Sequence, residues 1–238
     1  MEAGEIVAEL KHPYISVCCG EGTSYGGSQT WAKSAFVKRC GCGLIACTDL
    51  LLYLHQNQAG CRTPLFEEIS RDGPVSVEGY FRCADHLRKT CLPIIPYFGM
   101  NGLMVTSGLN FYFRKNKTPM RAGWGCGERR LWQRVEDMLS RDIPVIFAIG
   151  PNFPQIWRNE RVKLYSRTED GTYYSSCSVK AHFVVITGMG ERWLRISSWG
   201  REYYLDRGEY ARYVRKYSNF LFSNIVYLKE TRNEGERT

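Results

Sequence analysis

The sharpest chemical feature of the chain is the string Lys38-Arg39-Cys40-Gly41-Cys42-Gly43-Leu44-Ile45-Ala46-Cys47. Cys42 stands where glycines give way to a long apolar run, so it is expected at the first turn of a helix. Unpaired backbone N–H groups and the positive end of the helix dipole meet there. Both favour a thiolate over a thiol, and such placement lowers a cysteine that titrates near 8.5 by about one to several units. The same N–H groups can hold the oxyanion formed when sulfur attacks a carbonyl. Gly41 and Gly43 leave room for a substrate backbone. The chemistry expected here is acyl transfer through a thioester.

A nucleophile needs a base, and the chain has four histidines. His55 follows Cys42 by 13 residues, on the order of 20 Å along one helix. His12 and His86 have no orienting neighbour in sequence. His182 opens the apolar, β-branched run His182–Thr187. If the next turn centres between Met189 and Gly190, His182 lies opposite Ser197, and opposed residues share a face. Ser197 Oγ would then accept from the imidazole and fix its tautomer, completing a nucleophile–base–orienter set. Ser198 is the rival, one residue on and on the other face.

Positioning these groups requires a helix and a sheet. The apolar spacing predicts a helix over Gly43–Gln58 and another over Arg129–Ser140, the latter ending before Pro144. Strands are expected at Pro144–Ile149, Val162–Ser166, Thr172–Ser175, His182–Thr187, Trp193–Ser198, Arg201–Leu205 and Asn224–Leu228, with turn chemistry at Gly188–Glu191. Helices first and antiparallel strands second is an α+β pattern. One domain over 1–238 is expected, with a mainly helical half to about 141 and a sheet half over about 142–230. Cys91–Phe113, uncharged but rich in Pro, Gly and Asn, reads as buried loop and strand rather than a membrane helix.

With those residues in view, GCGLIACTDLLLYL resembles the nucleophile helix of papain-like cysteine peptidases. It is closest to the bacterial branch similar to double-glycine-leader peptidases. AHFVVITGMG resembles the histidine strand of that superfamily, and ISSWGREYYLD its Asn-Ser-Trp-Gly segment. The resemblance covers about 40 residues and implies a papain-like fold acting on a peptide or protein. It makes Cys42 the nucleophile and His182 the general base and acid. Ser197 falls on the family's Asn, and Trp199 would shield the contact between His182 and its orienter. The oxyanion Gln of the family stands about six residues before the Cys, where this chain has Phe36. Gln29, in GGSQTW, could be brought back by a looped insertion. Amidases and acyltransferases share the superfamily, and a catalytically inactive peptide-binding relative is the alternative.

Composition limits the other classes. The chain has 238 residues, 44% hydrophobic, with a net charge of +8. The charge could draw an acidic substrate. It is densest over Arg114–Arg134, but no nucleic-acid motif accompanies it, and nucleic acid is not an expected partner. Ten cysteines include no CxxC, so neither a metal site nor a cofactor is expected. Glu2, Glu5 and Glu9 stand where an export signal would be basic. The expected compartment is therefore the cytoplasm, where cysteines stay thiols. Candidate cleft walls are Leu103–Phe113 and Gly123–Gly127.

Overall fold

The computed structural model describes residues 6–20, 22–69 and 73–231. Glu2 and Glu5, which bear on the export signal, lie outside the described residues. Strands β1 (Ile6–Glu9), β2 (Val17–Cys19) and β3 (Gly22–Thr23) precede helices α1 (Ala35–Cys40) and α2 (Cys42–Asn57). Then come β4 (Val75–Ser76), α3 (Val77–Thr90), α4 (Gly102–Lys115), β5 (Met120–Trp124) and α5 (Leu131–Ser140). The remainder is β6 (Val145–Ile149), β7 (Val162–Arg167), β8 (Tyr173–Val179), β9 (His182–Gly190), β10 (Trp193–Ser198), β11 (Arg201–Asp206), α6 (Arg207–Tyr217) and β12 (Ile225–Glu230).

The architecture is mixed α+β, built on a nine-stranded antiparallel sheet in the order β5-β12-β6-β9-β10-β11-β7-β8, with β1 also paired to β9. β3, β2 and β4 form a small second sheet. Every residue of β6 and nearly all of β9 is buried. Strands covered on both faces need no polar alternation, so they read as continuous apolar runs. α2 packs on β9, with α3 and α4 packed on α2 in turn. Its residues from Gly43 to His55 are all buried, as an all-round apolar helix must be.

Several expectations change. Residues from Gly102 onward in the segment read as loop and strand form α4. Asn101 caps it, its Oδ1 accepting from the Met104 N–H at 2.9 Å. Gly102 is there for packing, since a Cβ would come within 2.2 Å of the Trp124 ring. The division at 141 is also looser than expected, because β1 and β5 join the large sheet and α6 interrupts the strands. The turn after His182 falls later than expected. Leu194 pairs with Met189, and a bulge between Arg195 and Ile196 then sets Ser197 opposite Val185. Among the described residues no helix is long and apolar enough to cross a membrane.

Candidate active site

Cys42 is the first residue of α2, half-buried behind Gly41. His182 is the first residue of β9, held by its pairing with Ile149 of β6. The residue before it, Ala181, has φ of 50°, a left-handed conformation uncommon outside glycine. β10 ends at Ser198 and turns into β11 through Trp199 (φ 51°) and Gly200 (φ 74°). Positive φ at both central residues is the geometry of a type I′ hairpin turn. That turn lays the Trp199 ring on the His182 imidazole, 4.6 Å between centroids at 23°.

The hydroxyl that meets His182 belongs to Ser198, whose Oγ lies 2.8 Å from Nε2. Ser197 does not orient the imidazole as expected. Its Oγ donates to the Tyr25 carbonyl at 2.8 Å, on the opposite face of β10. The later turn and the bulge shift the register, so Ser198 shares a face with His182 and Ser197 does not. Ser197 instead ties down the chain that leads to Gln29.

Gln29 begins a short 3-10 turn, Gln29–Trp31, capped by Ser28. It is buried, and its Nε2 donates to the Lys38 carbonyl at 2.8 Å. α1 forms the intervening excursion, so Gln29 returns to Cys42 although Phe36 stands where the spacing would put a Gln. Gln29, Cys42, His182 and Ser198 line one narrow cavity of about 10 Å³, room for about one water-sized group.

Asp49 lines the same cavity and was missed in sequence. It is 1% exposed. Its carboxylate accepts from the Gly27 N–H at 3.1 and 3.2 Å, from Tyr14 Oη at 3.1 Å and from Tyr80 Oη at 2.5 Å. The backbone must come close for this. A Cβ on Gly27 would sit 2.1 Å from Tyr80 Oη, and one on Gly26 2.3 Å from Ser197 Oγ. The one signal in the sequence is a lone Asp inside the apolar run Leu44–Leu54.

The electrostatics run against the expected thiolate. Burial pushes the Cys42 thiol up, opposed by the backbone N–H groups of Phe183 and Gly43. Burial pushes His182 down to about 4. Desolvation outweighs the helix terminus, so the resting pair is thiol and neutral imidazole. Burial also raises Asp49 to about 6, against the pull of the hydrogen bonds from Tyr80, Gly27 and Tyr14.

Cys42 and His182 also open onto a groove of about 560 Å³, lined by Ile95, Phe98, Met100, Leu103, Trp124 and Phe222 among others. Leu103, Met104 and Trp124 are thus the parts of the expected cleft walls that reach it. Among the described residues Arg39 is the one Lys, Arg, Asp or Glu in the lining, so the basic stretch Arg114–Arg134 sends Trp124 but none of its charged side chains to the groove. All ten cysteines are free thiols. Cys40 and Cys47 are buried, whereas Cys18 and Cys19 are exposed. Among the described residues no cluster of His, Cys, Asp and Glu could hold a metal ion. Compared with known proteins, the chain matches no family model, no curated protein and no solved structure.

Proposed function

We propose that this chain is a cysteine-dependent hydrolase of papain-like arrangement that cleaves a peptide or amide bond through a thioester. One observation carries the reading: Cys42, Gln29, His182 and Ser198, distant in sequence, line one water-sized cavity. In the tautomer that donates Nε2–H to Ser198 Oγ, Nδ1 is the free base. It takes the Cys42 proton as Sγ attacks the carbonyl carbon. The carbonyl oxygen becomes an oxyanion, received by the Cys42 backbone N–H and a Gln29 amide N–H. The C–N bond breaks as His182 returns the proton to the departing amine. Water, deprotonated by His182, then attacks the thioester and releases Cys42. Because the resting pair is neutral, the charge separation accompanies attack rather than preceding it.

The groove supports an apolar residue beside the scissile bond, with Arg39 at the rim for a carboxylate. A second reading is an inactive peptide-binding relative. It is favoured by the neutral pair and by a serine where papain-like enzymes use asparagine. A panel of N-acetyl dipeptide coumarylamides separates the two. The hydrolase reading expects fluorophore release that Cys42→Ala and His182→Ala abolish while the fold survives. Saturable peptide binding with no release from the wild type would establish the second.

A further inference from the structure

Gln29 has no rigid covalent route to Cys42. The intervening chain passes through exposed residues 33–35 and the six-residue α1. Two hydrogen bonds link its turn to the nucleophile's surroundings. One is from Gln29 Nε2 to Lys38 O, at the end of α1. The other is from Gly27 N to Asp49, seven residues along α2 from Cys42. A carboxylate with no cation beside it is a costly group to bury. Its acceptors are filled by three donors, two of them the phenols of Tyr14, in the loop between β1 and β2, and Tyr80 of α3.

We propose that Asp49 is a positioning residue for the oxyanion site. Anchored in the nucleophile helix, its carboxylate clamps Gly27 and so holds the Gln29 amide beside Cys42. This rests on the hydrolase reading given above. The alternative explanation of Asp49, that it only joins α2 to α3 through Tyr80, leaves two facts unused. Gly26 admits no side chain, since a Cβ would sit 2.7 Å from the Asp49 carboxylate, and Ser197 fastens the same loop from the sheet side through Tyr25 O. Two anchors from different elements therefore converge on the four residues before Gln29.

The test compares a reagent whose adduct places an oxygen in the oxyanion site with one whose adduct does not. A tripeptide aldehyde, acetyl-Leu-Leu-norleucinal, forms a hemithioacetal: an Sγ–C bond forms, the C=O π bond opens, and the thiol proton passes to the oxygen. Iodoacetamide alkylates sulfur by displacing iodide and forms no oxyanion. Aldehyde binding is read in the folded protein by its protection of Cys42 from iodoacetamide, and alkylation at Cys42 by peptide mapping, in a Cys18→Ser/Cys19→Ser background. Asp49→Ala should weaken aldehyde binding about 10-fold or more, with the iodoacetamide rate changed by less than about 2-fold, since alkylation builds no oxyanion. Asp49→Asn should recover part of the loss. Gln29→Ala/Asp49→Ala should bind no more weakly than Gln29→Ala alone, because the two act through one group. If Asp49→Ala melts below the assay temperature, Tyr14→Phe, which removes one donor to the carboxylate, should show a smaller loss of the same selectivity. Unchanged aldehyde affinity, equal loss for both reagents, or additive losses with Gln29→Ala would overturn the clamp. A wild type that takes up iodoacetamide but no aldehyde at Cys42 would overturn the hydrolase reading, and the clamp with it.

Discussion

Ser198 Oγ lies 2.8 Å from His182 Nε2, while the hydroxyl one residue earlier, on Ser197, turns away to the Tyr25 carbonyl. The division gives neighbouring serines different work. Ser198→Ala should lower kcat roughly 10-fold with KM little changed, since a lost tautomer partner is felt in proton transfer. Ser197→Ala should appear mainly in stability, at about 1 kcal/mol for a buried carbonyl left without its donor. Steady-state kinetics beside urea unfolding of both variants would distinguish them, and the reverse pattern would contradict the assignment.

The neutral resting pair predicts slow, pH-dependent alkylation. With burial holding its thiol above the ordinary value, Cys42 should react with iodoacetamide at pH 7 more slowly than exposed Cys18 and Cys19. Its rate should still be climbing at pH 9, because only the thiolate reacts. Mass-spectrometric mapping over a pH series reads each site separately. A plateau at Cys42 below pH 7 would mean that the helix terminus outweighs burial after all.

His182 and Asp49 should affect acid stability with opposite signs. His182 titrates near 4 when folded and near 6.5 when unfolded. The unfolded chain therefore gains a proton first, and stability falls as pH drops from about 6.5 to about 4. Asp49 titrates near 6 when folded, above its unfolded value near 3.9. There the folded chain gains the proton first, and stability rises as pH drops from about 6 to about 4. Each effect is on the order of 3 kcal/mol. Between pH 7 and pH 4, His182→Gln should therefore lose less stability than the wild type, and Asp49→Asn should lose more. Urea midpoints at the two pH values give the answer, and variants that move together would refute it.

The groove predicts a substrate preference that can be altered without touching the chemistry. Phe98 is 86% exposed and lines the groove. Phe98→Asp should therefore leave the melting temperature intact and raise KM for apolar coumarylamides by roughly 10-fold, the worth of one buried apolar contact. An unchanged KM across the panel would remove the groove from substrate binding.

How far these features were legible in the sequence follows from where the information lay. Cys42 announced itself because glycines abut an apolar helix, and His182 because a polar residue opens an apolar strand. Both signals are local. Gln29 was reachable only through resemblance, since its return depends on how α1 folds back. The serine was misplaced by one because a bulge between Arg195 and Ile196 leaves no mark on a period-two pattern. Asp49 was overlooked because its burial is decided by Tyr14, Gly27 and Tyr80, all remote in sequence. α4 was misread because Gly102 looks like a breaker until Trp124 is seen packed against it.

The most direct test of the central claim is to trap the acyl-enzyme. Brief exposure of the wild type to N-acetyl-leucine p-nitrophenyl ester, acid quenching and intact-mass analysis should reveal one added acyl group. Peptide mapping should place it on Cys42, and His182→Ala should sharply reduce its formation. Acylation confined to Cys18 or Cys19, or at Cys42 to the same extent without His182, would contradict the account.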